Sequence, residues 1–395
     1  MEKKHILFVD DEPMILEAMQ RMLRDKRNEW DMSFATTGQE ALELLGKGRV
    51  DVLVSDMRMP GMNGAELLNE VKNRFPGVIR IILSGQADQD AVMKLVLPAH
   101  QYLSKPCDPQ TIKLSIEREL QLNDLLTNDC IRRVISGMDT LPSSPALYVK
   151  VMEELSAPDP SINAIAEIVS KDVGMTAKLL QLVNSAFFAL PQRVSNLMQA
   201  VSLLGLDTIK TLVLSIHIFS QFDQGKLSAL NIAEVWHHSL MIGLFAKTIS
   251  RLENQSQVQV DDALMAGLLH DAGKLVLAAN FPKEYIDITS LMEKEGLTAS
   301  EAEGRVLSGP THAEIGAYLM GLWGLPRSIV EAIALHHRPQ AEIMQGFDVR
   351  VAVYAANLLE HNMEASCPEW VRAASRLAVW KTACMSIGDS GGQDG

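Results

Sequence analysis

The stretch Asp51-Val52-Leu53-Val54-Ser55-Asp56-Met57-Arg58-Met59-Pro60-Gly61-Met62-Asn63-Gly64 decides the fold of the N-terminal part of this chain. Residues 51–55 are apolar and β-branched enough to read as a buried parallel strand, and Asp56 stands where that strand meets a Pro/Gly loop. A carboxylate there faces the ligand crevice of an α/β sheet. Standing alone, it would be an ordinary loop aspartate, so its weight depends on what the neighbouring loops carry.

Outward from that stretch, apolar strand-like runs at 5–9, 32–35, 51–55, 79–83 and 101–103 alternate with helical patterns near 13–25, 38–46, 64–74, 87–97 and 109–121. The alternation predicts an α/β doubly wound, flavodoxin-like sheet of five parallel strands. In such a sheet the loops after the first, third, fourth and fifth strands converge at one edge. They carry Asp10-Asp11-Glu12, Asp56, Ser84 and Lys105-Pro106. Crowded carboxylates stay ionised only with positive charge among them, and a hard divalent cation such as Mg²⁺, bound by Asp10, Asp11 and Asp56, meets that need. Lys105 and the Ser84 hydroxyl would hold phosphoryl oxygens, leaving Asp56 as the nucleophile of an in-line transfer.

This set resembles the two-component receiver domain over residues 4–121: acidic pair, phosphoacceptor aspartate, hydroxyl residue and Lys-Pro. The resemblance implies that Asp56 takes phosphate from a sensor histidine kinase or a phosphotransfer protein. It also puts Tyr102 at the aromatic switch position, although a strand residue half packed against the last helix is the plainer reading. The implied mechanism is a two-state equilibrium in which phosphate at Asp56 draws Ser84 inward, Tyr102 fills the space, and the surface around residues 86–121 changes shape.

A chain of 395 residues exceeds one comfortable core, so two domains with connectors are expected. No run approaches the roughly 20 uninterrupted apolar residues of a membrane span, and the start has no secretory pattern, so the expected address is cytoplasmic. Cys107, Cys130, Cys367 and Cys384 lack CxxC spacing, which argues against a disulfide framework and a thiolate zinc site. The formal charge of −13 leaves no basic stripe for phosphate backbone, which argues against nucleic-acid binding.

Residues 122–138 are expected to form a helical linker, and Leu141-Pro142-Ser143-Ser144-Pro145 marks the next boundary. Beyond it the periods are helical, predicting an all-α, HD-like domain over 139–340. Lys171-Asp172-Val173, Leu182-Val183-Asn184-Ser185-Ala186-Phe187-Phe188 and Ala200-Val201-Ser202-Leu203-Leu204-Gly205-Leu206 resemble the HDOD (HD-related output) module. Residues 341–386 are expected to form a helical extension, and 387–395, with little to bury, a disordered tail.

His237, His238, His270, His312, His336 and His337 gather in the helical part. Glu234 and His238 are one turn apart on one helical face, and imidazoles with carboxylates on an otherwise apolar face suit a metal. Gly267-Leu268-Leu269-His270-Asp271-Ala272-Gly273-Lys274 resembles the motif that names the HD phosphohydrolase superfamily, and His238, His312 and the His336-His337 pair follow that superfamily's order. The resemblance implies one or two divalent transition-metal ions held by Glu234, His238, His270, Asp271, His312, His336 and His337, with Asp271 bridging and Lys274 offering charge to a substrate. Two departures count against hydrolysis: Asn357 stands where the superfamily's last ligand aspartate falls, and Arg338-Pro339-Gln340 replaces the stretch that follows the histidine pair in cyclic-dinucleotide phosphodiesterases.

The reading from sequence is therefore a response regulator in which phosphate at Asp56 alters how a helical module engages a protein partner or a second copy of itself. The alternatives are a phosphorylation-gated, metal-dependent phosphohydrolase and a nucleotide sensor that binds without hydrolysing.

Overall fold

The computed structural model describes residues 3–84, 99–105, 107–123, 129–136, 138, 142–143, 145–155, 157, 159–184, 193–205, 220–221, 232–337, 346–361 and 376–390. They fall into two compact units, one built on the first 139 residues and one on the helical remainder.

In the first unit, β1 (Lys4–Val9), β2 (Trp30–Ala35), β3 (Val52–Asp56), β4 (Ile79–Ser84) and β5 (Gln101–Ser104) form one sheet in the order β2-β1-β3-β4-β5. Every pairing is parallel, with Val54 opposite Phe8 and Ile81, and Asp56 opposite Leu83. All of β3 is buried, as an apolar run covered on both faces should be. Helices α1 (Pro13–Met22), α2 (Gly38–Lys47), α3 (Gly64–Arg74) and α4 (Pro109–Asn123) alternate with the strands. The five-stranded, doubly wound sheet is thus present; the helix expected near 87–97 lies outside the described residues.

Arg80 is the exception in the sheet, a fully buried guanidinium on β4. The Arg80 backbone N–H donates to His100 Nδ1 at 3.0 Å, which leaves the ring proton on Nε2. That Nε2–H and Arg80 Nη2 both reach the carbonyl of Ser136, each at 2.8 Å. Ser136 ends a further helix, α5 (Asp129–Ser136), so two donors from the sheet take up an orphan carbonyl of that helix end.

The second unit is a stack of helices: α6 (Pro145–Leu155), α7 (Ile162–Ser170), α8 (Val173–Val183), α9 (Leu197–Leu204), α10 (Ile232–Leu252), α11 (Gln257–Leu269), α12 (Ala272–Asn280), α13 (Pro282–Glu295), α14 (Ala299–Leu307), α15 (His312–Leu322), α16 (Arg327–Leu335), α17 (Val349–Glu360) and α18 (Arg376–Ser390). It is not purely helical, because Pro142–Ser143 and Ser220–Gln221 pair as a two-residue parallel bridge. The last helix corrects one expectation: it runs through 387–390, inside the stretch read as a disordered tail. A single Gly388 costs only about 1 kcal/mol there, and the Gly391-Gly392 pair follows the helix end.

The middle of this unit is set by α10, which packs on α11 and α17, while α11 also meets α16 and α17. A Cβ on Gly267 would lie 2.6 Å from the Cα of Gly243, so α10 and α11 cross glycine on glycine. That close crossing brings His238, near the start of α10, toward His270 at the end of α11.

Candidate functional site

Two centres emerge, one at the carboxyl edge of the sheet and one where several helices of the second unit end. At the first, Asp10 follows β1, Asp56 ends β3 and Lys105 follows β5. Lys105 Nζ lies 2.5 Å from Asp56 Oδ1 and 3.1 Å from Asp10 Oδ2, so one ammonium spans two buried carboxylates. Burial works against the charged lysine, but Asp56 and Asp10 outweigh it and hold the group above its ordinary range. Asp56 Oδ2 accepts from Arg58 N–H at 3.0 Å, and Asp10 Oδ1 from Glu12 N–H at 3.0 Å. Asp11 is half-buried beside them. The loop closes tightly: Gly64 N–H donates to Met57 O at 2.9 Å, and a Cβ on Gly64 would sit 2.1 Å from Asp56 O.

Ser84 and Tyr102 lie on the strands as expected, Ser84 at the same edge opposite Ser104 and Tyr102 opposite Ile82. Their side chains, and Pro106, lie outside the described residues.

The second centre surrounds Asp271. This residue stands at the N-cap of α12, where an aspartate normally caps the helix, yet its carboxylate makes no cap hydrogen bond. It turns inward instead. Oδ2 accepts from Lys274 Nζ at 2.7 Å and lies 3.4 Å from His270 Nε2 and 3.7 Å from His238 Nε2. Oδ1 lies 3.3 Å from His312 Nε2 and 3.8 Å from His336 Nε2. Burial raises the Asp271 pKa, but His270, Lys274 and His312 outweigh it and hold the carboxyl well below the usual range.

The outer nitrogens of these rings are occupied. His270 Nδ1 is 2.7 Å from Gly267 O, His336 Nδ1 is 2.6 Å from Ile333 O, His312 Nδ1 is 2.8 Å from both Glu303 oxygens, and His238 Nδ1 is 3.4 Å from Glu360 Oε1. Each acceptor favours a proton on Nδ1 and turns an Nε2 lone pair toward Asp271. The result is Nε2 facing Nε2: His238 to His270 at 3.2 Å, His312 to His336 at 3.3 Å and His337 to His312 at 3.0 Å. Facing lone pairs are tolerable only with a cation or proton between them. Burial opposes protonation of His312, but Glu303 and Asp271 prevail and raise it to about 9. Burial lowers His270 to about 4 and His337 to about 3, and puts His336 well below its ordinary value.

The ligand atoms sort into Asp271–His312–His336–His337 and His238–His270–Asp271, each with every ligand atom within 4.8 Å of the others. A tetrahedral ion with bonds of about 2.0–2.1 Å needs ligand atoms roughly 3.3 Å apart, so the residues present fit such an ion. Space is tight here too, since a Cβ on Gly273 would sit 1.9 Å from His312 O.

Glu234 corrects the expectation. It is exposed, lies in the first turn of α10 and belongs to neither cluster. The carboxylates that orient the rings are Glu303 and Glu360, which the sequence reading missed. Glu303 sits nine residues before His312 with no motif around it; the adjacent pair Glu360-His361, one turn past Asn357, was a signal available in the sequence.

A model of the HDOD domain matches residues 141–339 and one of the response regulator receiver domain matches residues 6–117. An uncharacterized protein of Treponema pallidum is 24% identical over 264 residues, covering 66% of this chain and 48% of that protein. The hydrogenase transcriptional regulatory protein HoxA of Cupriavidus necator is 29% identical over 164 residues, covering 40% of this chain and 32% of that protein. The chain thus spans half or less of the length of these relatives. Among solved structures, the MmoQ response regulator of Methylococcus capsulatus shares the fold, with a TM-score of 0.50 and 23% identity over 62% of this chain and 98% of that one. The chain belongs to the HDOD domain family, joined to a receiver domain in the architecture of a two-component response regulator.

Proposed function

We propose that Asp56 is the phosphoacceptor of this response regulator and that its phosphorylation changes what the helical HDOD unit binds. The observation that carries this is the single Lys105 ammonium between Asp10 and Asp56. Mg²⁺, held by Asp10, Asp11 and Asp56, would neutralise the incoming phosphoryl group. Asp56 Oδ supplies the attacking lone pair, Lys105 the charge on a phosphoryl oxygen, and Ser84 a hydroxyl to another. The donor in this reading is a sensor histidine kinase or a phosphotransfer protein, and the output partner a protein or a second copy of the chain. No described helix is long and apolar enough to cross a membrane, which fits the proposed cytoplasmic address. The working partition is a receiver over 1–121, a linker over 122–138, the HDOD domain over 139–340 and a helical extension over 341–386. The test is incubation with a small acyl phosphate and Mg²⁺: the chain should gain the mass of one phosphoryl group, and Asp56→Asn should gain none. A variant that still took up phosphate at the wild-type rate would end the proposal.

The Asp271 centre favours a second reading, a metal-dependent phosphohydrolase. Asp271, His238, His270, His312, His336 and His337 would hold one or two divalent transition ions, and metal there would lower the pKa of a bound water. Lys274, beside Asp271 Oδ2, would meet a phosphate oxygen. The buried Asn357 in place of a ligand aspartate weighs toward binding without turnover. Metal analysis with a phosphodiesterase assay, with and without His270→Ala, separates the two readings.

A further inference from the structure

Outside the Asp271 centre, the other flank of His238 carries a group that neither the sequence reading nor the family order supplies. Glu360 is the last residue of α17 and His361 its C-cap, whose N–H bonds Asn357 O at 3.2 Å. Glu360 Oε1 lies 3.4 Å from His238 Nδ1 and Oε2 lies 3.2 Å from His361 Nδ1, and the His238 and His361 rings stand 5.1 Å apart between centroids. All three ligand atoms fall within 4.8 Å of one another. Each imidazole nitrogen thus has one Glu360 oxygen, a different one for each ring, at about the 3.3 Å edge of a tetrahedron with 2.0–2.1 Å bonds.

We propose that His238, Glu360 and His361 form an outer, solvent-facing position for a divalent transition ion, distinct from those that share Asp271. Two imidazoles and one carboxylate leave at least one coordination position for water or an oxyanion. His361 is exposed and His238 and Glu360 half-buried, so the position opens outward, whereas Asp271, His270, His312 and His336 are buried. Glu360 thereby supplies a carboxylate one helical turn after Asn357, on the other side of His238. A neutral imidazole offers one lone pair. An ion taking His238 Nδ1 leaves a proton on Nε2, which then donates to the His270 Nε2 lone pair at 3.2 Å, so the outer ion and an ion between His270 and Asp271 compete for one ring.

The inference rests on the metal reading of the neighbouring centre, and the test separates their failures. The full-length chain, stripped with a chelator, is titrated with Zn²⁺ against a chromophoric competitor and with Co²⁺ by visible absorption. Glu360→Gln and His361→Ala should each weaken one equivalent at least tenfold while the tighter binding persists; His336→Ala should weaken the inner binding and spare the outer. Glu360→Gln is nearly isosteric and His361 is exposed, so the fold is checked by circular dichroism before titration. Unchanged uptake and an unchanged cobalt spectrum in both Glu360→Gln and His361→Ala, with loss in His336→Ala, would overturn the outer position alone. No uptake by the wild-type chain would overturn both.

Discussion

Asp56 and Asp271 are both buried carboxylates at the end of a regular element, and the chain balances their charge in opposite ways. Asp56 and Asp10 share an ammonium on a long, flexible stem, a positive charge always present. Asp271 has one lysine at Oδ2 and rings elsewhere, each ring fixed by an acceptor on its far nitrogen. The first centre carries its balancing charge on one side chain; the second has its donor atoms preset and needs a proton or an ion between its rings.

The largest effects should come from closing the space behind each carboxylate. Gly273→Ala would drive a methyl into His312 O and Gly64→Ala one into Asp56 O, each costing about 3 kcal/mol or more. Gly273→Ala should abolish metal uptake at the Asp271 centre while leaving phosphorylation, and Gly64→Ala the reverse; denaturant unfolding with both assays checks it, and crossed effects would break the comparison.

Next is ion dependence. Zn²⁺ at a hundredfold over its dissociation constant at the Asp271 centre should stabilise the wild-type chain by about 2.7 kcal/mol, and Asp271→Asn should lose that gain and keep only the smaller one from the outer position. Melting curves with metal and with chelator decide it.

Lys105→Gln removes the shared cation and leaves Asp10 and Asp56 facing each other. Mg²⁺ should then bind about tenfold tighter, roughly 1.4 kcal/mol, while acyl-phosphate turnover falls. Calorimetry reads the first and mass spectrometry the second; weaker Mg²⁺ binding would mean that lysine and ion do not occupy the same charge balance.

The smallest effect at neutral pH concerns His100, a ring bound to neither centre. Burial first, then Arg80 and Lys72, hold it well below 6.5, so the folded state resists a proton that the unfolded chain accepts. Its contribution is complete above pH 6.5 and is lost as pH falls from there through the depressed value, at up to about 1.4 kcal/mol per pH unit. His100→Gln should flatten that slope in urea titrations between pH 7 and 5.

The two centres also differ in how far sequence exposes them. The central strands of the sheet announce themselves, because β3 is an apolar run buried on both faces with the chemistry at its end, so Asp10, Asp56 and Lys105 could be placed together from the order of elements alone. In the helical unit the ligands come from helix ends, and a 3.6-residue period says nothing of where a helix end points. The His270-Asp271 doublet was legible. Glu303 was not, since its pairing with His312 depends on how α14 meets α15. Glu234 shows the opposite error: the spacing to His238 is that of one helical turn, yet the residue is exposed.

The carbonyl of Ser136 carries one more consequence. Turning α5 by a single residue would swing that oxygen through about 100° and slide it 1.5 Å, stripping the buried Arg80 guanidinium and the His100 ring of their shared acceptor. The end of α5 is therefore pinned in register against β4 by two buried donors.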